Sequence, residues 1–240
     1  MLNEKRILES STPIILPEWP AQTHIRAFFT TREGDPRAHS TVGEYLHDLP
    51  NQEQLRDPVW LHQTHSATVH RLTSKIQGLQ GDGLVTKIHE TPCAIKVADC
   101  VPVLLSDIGG TEVSAIHAGW RGLLSGIIEN GVKAFECHPS KLVAWIGPSI
   151  SKIAYSVGPE IKEMFHTKNP QYQKFFQKAG EQIHFDIREA VKNNLSELGV
   201  AKIAESPRCV YREKNSFYSF RREKTAKRMA AVIWISPQDS

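Results

Sequence analysis

Residues 94–146 read AIKVADCVPVLLSDIGGTEVSAIHAGWRGLLSGIIENGVKAFECHPSKLVAWI. Short runs that alternate or are β-branched predict strands at Ala94–Val97, Val103–Ser106, Glu112–Ile116 and Leu142–Ile146, with a helix over Leu123–Glu136 between the last two. The apolar pattern runs through without a linker, so this stretch predicts the middle of one mixed α/β domain spanning residues 1–240. Working outward, the same criteria predict strands at Ile25–Thr30, Thr68–Leu72, Lys202–Glu205 and Ala230–Ile235. Helices are expected at Pro159–His166 and Ile187–Leu198, with a short segment at Lys224–Arg228. Pro159 suits a first helical turn, Asp186 an N-cap, and Gly199 the residue that closes a helix. The stretch from Gly34 to Pro58, with little periodicity, reads as an irregular surface loop.

A chain of 240 residues, 40% hydrophobic and 23% charged, has the composition of a folded globular protein and not of a disordered one. Its net charge of +3 suits an anionic small molecule as well as a nucleic acid, and so does not choose between them. Four cysteines, at 93, 100, 137 and 209, form no CxxC pair and no disulfide framework. The first twenty residues mix acids with bases around a four-residue apolar run, unlike a signal peptide. No stretch reaches the ~18 apolar residues of a membrane span. The expectation is a soluble protein of a reducing compartment, the cytoplasm.

Eleven histidines are too many for all to carry chemistry. His24, His39, His47, His138, His166 and His184 lie in polar or loop-like contexts and read as surface or turn residues. His117 is different. It stands at the carboxyl end of a strand and opens HAGWRG (117–122), a glycine-flanked turn whose N–H groups and following helix favour an anion. Arg121 adds a charge there. Cys100 lies in ADCVP (98–102) beside Asp99, a charged residue at a near-core strand end that requires a partner. His62 and His65 belong to HQTH (62–65), just ahead of a strand. Two imidazoles and one thiolate would make an open tetrahedral zinc set; spacing alone leaves open which of His62 and His65 takes part. Asp82, in GDG (81–83), reads either as a turn residue or, with Asp99, as a group that orients ligands or shuttles protons. The segment FYSFRREKTAKR (217–228) interleaves aromatics with Arg221, Arg222 and other cations, a pattern that can stack a base and hold a phosphate. The phosphate-binding GxxxxGK[ST], the dinucleotide GxGxxG, the zinc-protease HExxH and the deaminase H-x-E…P-C-x-x-C are all absent.

Taken together, HQTH, GDGLVT, ADCVPVLLSD, AIHAGWRGLLSGI, WIGPSISKIAYSVG, FDI, RCVY and FYSFRREKTAKRMA resemble the successive motifs of the laccase-domain, multicopper polyphenol oxidase-like family, over roughly residues 20–236. That family includes proteins described as peptidoglycan editing factors and as zinc-dependent purine nucleoside phosphorylases with adenosine deaminase activity. The resemblance implies a mixed α/β fold with β-sheets layered between helices, similar to cysteine-hydrolase and toxin-deamidase relatives. It places the metal ligands, which would also be the catalytic residues, on His65, Cys100 and His117, and so selects His65 over His62. It implies zinc, with copper as the alternative, and as partners a nucleoside and phosphate, with neither nucleic acid nor membrane. Arg121, Arg221 and Arg222 are the expected substrate contacts. The chain departs from the family in two places. After Thr31-Arg32 it has Glu33-Gly34-Asp35 and a shortened run through GEYLHDLP in place of Gly-Gly and Pro-Tyr-x-Ser-Leu-Asn, and Arg221-Arg222-Glu223 replaces Arg-Arg-Asp, with Ala226 for a glycine. Two other activities would use the same residues: a cysteine hydrolase acting on peptidoglycan precursors with Cys100 as nucleophile, and a copper polyphenol oxidase. An RNA-binding module built on the basic C-terminal segment would leave His65, Cys100 and His117 unexplained.

Overall fold

The computed structural model describes residues 14–32, 57–74 and 77–237. In chain order the strands are β1 (Ile14–Ile15), β2 (Ile25–Thr30), β3 (Val59–Trp60), β4 (Val69–Leu72), β5 (Gly83–Thr86), β6 (Cys93–Val97) and β7 (Val101–Asp107). They continue with β8 (Val113–Ala118), β9 (Leu142–Ile146), β10 (Ser156–Val157), β11 (Phe176–Ala179), β12 (Gln182–Phe185), β13 (Lys202–Glu205) and β14 (Met229–Ile235). The helices are α1 (Trp120–Ser125), α2 (Ile127–Lys133), α3 (Pro159–Lys168), α4 (Ile187–Glu197) and α5 (Phe220–Glu223).

Two large mixed sheets carry the fold. One has the order β1-β2-β14-β6-β3, the other β13-β9-β7-β8-β5-β4, and β10-β12-β11 form a small third sheet. The two-residue period of a strand sorts the side chains of the first sheet. Met229, Ala231, Ile233 and Ile235 of β14, with Cys93, Ile95 and Val97 of β6, enter the main core facing the second sheet. Their alternates Ala230, Val232, Trp234 and Ala94 join Phe28 in a separate cluster on the opposite face. Strands β7, β8 and β9 are buried along their whole length, because the first sheet covers one face and α2 and α4 pack against the other. One continuous apolar core therefore runs from the first sheet through the second to the helices, the mixed α/β layering that the sequence predicts.

Some local details differ from expectation. The helix expected over Leu123–Glu136 begins at Trp120 and is divided at Gly126, whose left-handed φ of 96° closes α1 and starts α2. The segment Lys224–Arg228 is not helical. Its helix lies one turn earlier, at α5, because the Ser219 hydroxyl caps the Arg222 N–H and Lys224, at φ 53°, ends the turn. Strand β5 follows directly from the GDG turn. Asp186 caps α4 and Gly199, at φ 86°, follows its end as expected. The loop expected over Gly34–Pro58 lies outside the described residues except at Asp57 and Pro58, as do His39 and His47. Among the other histidines, His24 bonds the Gly110 carbonyl, His138 caps a short 3₁₀ turn, and His184 bonds the Lys152 carbonyl, all structural roles.

Candidate metal centre

Strand register assembles the site. In the antiparallel pair β7–β8, Val101 lies opposite Ala118 and Pro102 opposite His117. Cys100, one residue before β7, therefore falls beside the end of β8 and its Gly119 turn. His65 arrives from the loop between β3 and β4. Gln63 anchors that loop by acting as a strand partner: its side-chain amide donates to the Lys96 carbonyl at 2.8 Å and accepts from the Lys96 N–H at 2.8 Å.

The ring nitrogens of His65 and His117 and the sulfur of Cys100 come together with one ligand atom from each within 4.8 Å of one another. His65 Nε2 is 3.9 Å from Cys100 Sγ, and the two imidazoles meet edge to face at 4.9 Å between centroids. His117 is buried, Cys100 half-buried and His65 exposed, so the cluster faces solvent on one side. His62, the alternative that spacing allows, lines the same cavity but is not in the cluster.

Asp82 organises this arrangement and is more than a turn residue. Its fully buried carboxylate accepts from the backbone N–H groups of Thr64 at 3.2 Å, His65 at 3.1 Å and Ser66 at 2.6 Å. The Ser66 hydroxyl donates at 2.8 Å and His117 Nδ1 lies 2.8 Å away. A carboxylate so placed holds His117 with Nδ1 protonated and leaves Nε2 as the ligand atom. These bonds also hold His65 in a left-handed conformation at φ 59°. Burial opposes ionisation of Asp82, but the bonds from His117 and Ser66 outweigh it and keep the carboxyl well below its usual range. Burial likewise pushes the Cys100 thiol up, while His117 and His65 beside it bring it down to about 6. Against the same burial, the Cys100 thiolate and the Asp82 bond raise His117 to about 9. The donor set is thus two imidazoles and a sulfur poised as thiolate, with one ring fixed by a carboxylate; it fits a four-coordinate metal with an open position.

Asp99 is buried, at φ 89°, and finds partners distant in sequence. It accepts from the Ser219 hydroxyl and the Arg221 N–H, each at 2.6 Å, and so ties the Cys100 turn to α5. Burial raises its pKa, and those two bonds act in the opposite sense.

The cluster opens into a cavity of about 630 Å³, within the usual range for small-molecule sites. Arg121 and Arg221 line it. The Arg121 guanidinium lies 4.4 Å from the Trp120 ring centroid. Arg221 donates to the Ser156 carbonyl at 2.8 Å and its hydroxyl at 3.1 Å, and sits 5.2 Å from the Tyr155 ring centroid. Arg222 does not line the cavity. Its guanidinium donates to the carbonyls of Val210 at 2.8 Å, Phe217 at 2.7 Å and Tyr211, and pairs with Glu223. Glu223, in the place of the family's aspartate, also pairs with Arg32 and so joins the Thr31-Arg32 segment to α5.

The family model described as multi-copper polyphenol oxidoreductase laccase matches residues 28–236. The purine nucleoside phosphorylase YfiH of Escherichia coli is 35% identical over 92% of this chain and 98% of its own. A purine nucleoside phosphorylase of Haemophilus influenzae is 34% identical over the same shares. Among solved structures, a Neisseria meningitidis protein of the DUF152 group superposes with a TM-score of 0.85 at 28% identity, covering 94% of this chain and all of its own. A Bacillus licheniformis protein titled hypothetical protein YfiH gives 0.83 at 25% identity, covering 94% of this chain and 97% of its own.

Proposed function

Because this chain belongs to the multi-copper polyphenol oxidoreductase laccase family, we propose that it is a zinc-dependent purine nucleoside phosphorylase. It splits adenosine- or inosine-type nucleosides with phosphate into free base and ribose 1-phosphate, with adenosine deamination as a side activity. The observation that carries this reading is the sharing of one cavity by the His65–Cys100–His117 set and the Arg121 and Arg221 side chains. Relatives named for the same activity support it.

Phosphorolysis requires a phosphate held against the anomeric carbon while the bond to the base breaks. Its oxygen forms the new bond to that carbon, and the base leaves with the electron pair and takes up a proton. Arg121 and Arg221 are assigned to the phosphate. Arg221 is already oriented by Ser156, so binding costs it little side-chain entropy. Asp99 holds the backbone of that arginine and the Cys100 turn in one frame. Zinc held by His65, Cys100 and His117 supplies a Lewis acid, able to polarise a substrate oxygen or acidify water. Asp82 keeps His117 and the His65 loop in ligating positions. The one such set among the described residues, two imidazoles and one thiolate, suits zinc better than the four-electron oxygen chemistry of a copper oxidase. Four free thiols accord with a reducing, cytoplasmic setting.

Zinc-loaded protein incubated with adenosine, with and without phosphate, tests the reading. Adenine formed only with phosphate supports phosphorolysis, and inosine formed without phosphate supports the deaminase side reaction. Neither product from zinc-loaded protein refutes both.

One observation favours a second reading. Cys100, His117 and Asp82 stand in the order thiol, imidazole, carboxylate, as in a cysteine hydrolase. Such an enzyme would be indifferent to chelators and blocked by thiol alkylation, whereas the zinc enzyme loses activity to chelators and regains it with metal.

A further inference from the structure

Phosphorolysis makes one demand that no residue yet meets: the departing base must take up a proton. Unassisted, a purine leaves as an anion, and an acid positioned to protonate it as the bond breaks contributes about 10²–10⁴-fold in rate. Of the titratable groups lining the cavity, His65, Cys100 and His117 are assigned to the metal. Asp99 has one oxygen on the Ser219 hydroxyl and the other on the Arg221 N–H, so neither presents a proton to the cavity. Burial pushes the Tyr155 hydroxyl up, so that it holds its proton more firmly. The cations of the lining, Lys96, Arg121, Arg221, Lys224 and Arg228, are amines and guanidines, residue types that release protons only in alkaline solution.

That leaves His62. Its side chain is exposed and lines the same cavity as the metal set, without belonging to the cluster. Its backbone is anchored on both sides, the N–H donating to the Leu79 carbonyl at 2.9 Å and the carbonyl accepting the Gly81 N–H at 3.2 Å. The ring itself has no hydrogen-bond partner among the described residues. A fixed backbone thus carries an imidazole that is free to meet a ligand, and imidazole is the side chain whose ordinary titration lies closest to neutrality.

We propose that His62 is the general acid of phosphorolysis, donating a ring proton to the departing purine. The proposal rests on the nucleoside reading of the site. An oxygen of the phosphate dianion forms its bond to the anomeric carbon as the bond from that carbon to the purine breaks. The electron pair of the broken bond goes to the purine, whose free five-membered-ring nitrogen takes the imidazolium proton. The ribose 1-phosphate is formed carrying the proton of the attacking phosphate and releases it to solvent. Neutral His62, which faces solvent, regains one proton there, and the charges balance.

The test compares full-length, zinc-loaded protein with His62→Gln and His62→Asn, using adenosine and 7-methylguanosine as substrates. The methylated base already carries a positive charge on the nitrogen that the acid would protonate, so it leaves neutral and needs no acid. Adenine release at saturating phosphate should fall about 100-fold or more in both variants with the KM for adenosine little changed, as for an interaction made in the transition state. On 7-methylguanosine the loss should stay under about threefold. In the unaltered enzyme kcat for adenosine should decline as pH rises and the imidazolium is lost, and this alkaline limb should be missing from the variants. Thermal melts and competition with a chelator show that fold and zinc are retained. Adenosine turnover that survives in a folded variant overturns the proposal, and so do equal losses on the two substrates. Loss of zinc from the variants overturns it as well, by making His62 a ligand. If the unaltered enzyme does not accept 7-methylguanosine, the pH profile decides, and an alkaline limb that persists in the variants refutes the assignment. The two readings separate cleanly. Phosphate-dependent adenine release that does not depend on His62 removes only the general acid, whereas no adenine from the unaltered protein removes the nucleoside reading and His62 with it.

Discussion

Asp82 and His117 stand 35 residues apart, yet Asp82 Oδ1 lies 2.8 Å from His117 Nδ1, and the same oxygen accepts the His65 N–H at 3.1 Å. One carboxylate therefore orients two of the three residues proposed as ligands, one through its ring and the other through its loop. In Asp82→Asn the neutral amide can still accept, but it loses the charge that favours His117 protonated at Nδ1, and its NH₂ group opposes the N–H donors of residues 64–66. Zinc affinity should drop by about 10–100-fold, the usual effect of removing a partner behind a ligand. Competition with a chromogenic chelator measures it. Affinity equal to that of the unaltered protein would remove Asp82 from the site.

In metal-free protein, Cys100 should be a thiolate at neutral pH. Its folded-state pKa is brought to about 6 from an ordinary 9.0, so the thiolate is present above that value and is lost as pH falls through about 6. His117, raised to about 9, keeps its proton until pH rises through that value. The sign of each follows from linkage: the lowered thiol loses its stabilising contribution on acidification, the raised imidazole on alkalinisation. Iodoacetamide at pH 7 should label Cys100 ahead of Cys93, which burial pushes up to about 12. Labelling should fall by half near pH 6, and zinc should protect. Peptide mapping by mass reads all of this, and labelling that begins only above pH 8 would contradict the arrangement.

The main strands were legible because β7, β8, β9 and β14 are mostly apolar runs, and the two-residue period sorts the residues of β14 onto its two faces. The ligand set was legible only in part. His117 and Cys100 declare themselves at strand ends, but His65 and His62 differ by three residues, and no local pattern announces the left-handed conformation of His65. Asp82 could be read from sequence as a turn residue or as a group that orients ligands, and nothing local decides between the two, since its partners at 64–66 and 117 are distant in sequence. Arg222 looked equivalent to Arg221 because adjacent residues share composition, while the direction of each side chain is decided by tertiary contacts with Ser156 in one case and Val210, Tyr211 and Phe217 in the other.

Gly119 tests the ligand packing without touching a ligand. A Cβ added there would stand 2.8 Å from His65 Cδ2 and 3.1 Å from Cys100 Sγ. The backbone, at φ −79°, is one that alanine adopts freely. Gly119→Ala should therefore leave the metal-free fold close to its original stability and displace both ligands. Zinc affinity, read by competition with a chelator, should fall at least about tenfold, equivalent to a loss of roughly 1.4 kcal/mol in binding. A metal-free melting temperature that falls in parallel would show that the cost lies in the fold instead.

Arg188 ties together the backbone next to Ile150 and Ile187, two residues that line the cavity. Its guanidinium donates to the carbonyls of Ser149, Ser206 and Arg208 and to the Ser149 hydroxyl, and burial lowers its pKa. Arg188→Met keeps most of the volume but leaves those acceptors without a donor. The cost should be about 3 kcal/mol or more in chemical denaturation, since each abandoned buried polar group carries a penalty of its own. A loss under about 1 kcal/mol would mean that these carbonyls find other donors.

Arg121 and Arg222 should separate function from structure in opposite directions. Arg121 is exposed and lines the cavity, so Arg121→Ala should raise the KM for phosphate by about tenfold while the melting temperature stays put. Arg222 closes three backbone carbonyls and pairs with Glu223. Arg222→Ala should cost about 2 kcal/mol, roughly 4–8 °C in a protein of this size. Its phosphate KM, measured below the shifted melting range, should remain near that of the unaltered enzyme, because no part of the guanidinium faces the cavity. A large KM change in Arg222→Ala without loss of stability would reverse the two assignments and place phosphate against the Val210–Tyr211 carbonyls, where an anion meets only acceptors once the arginine is gone.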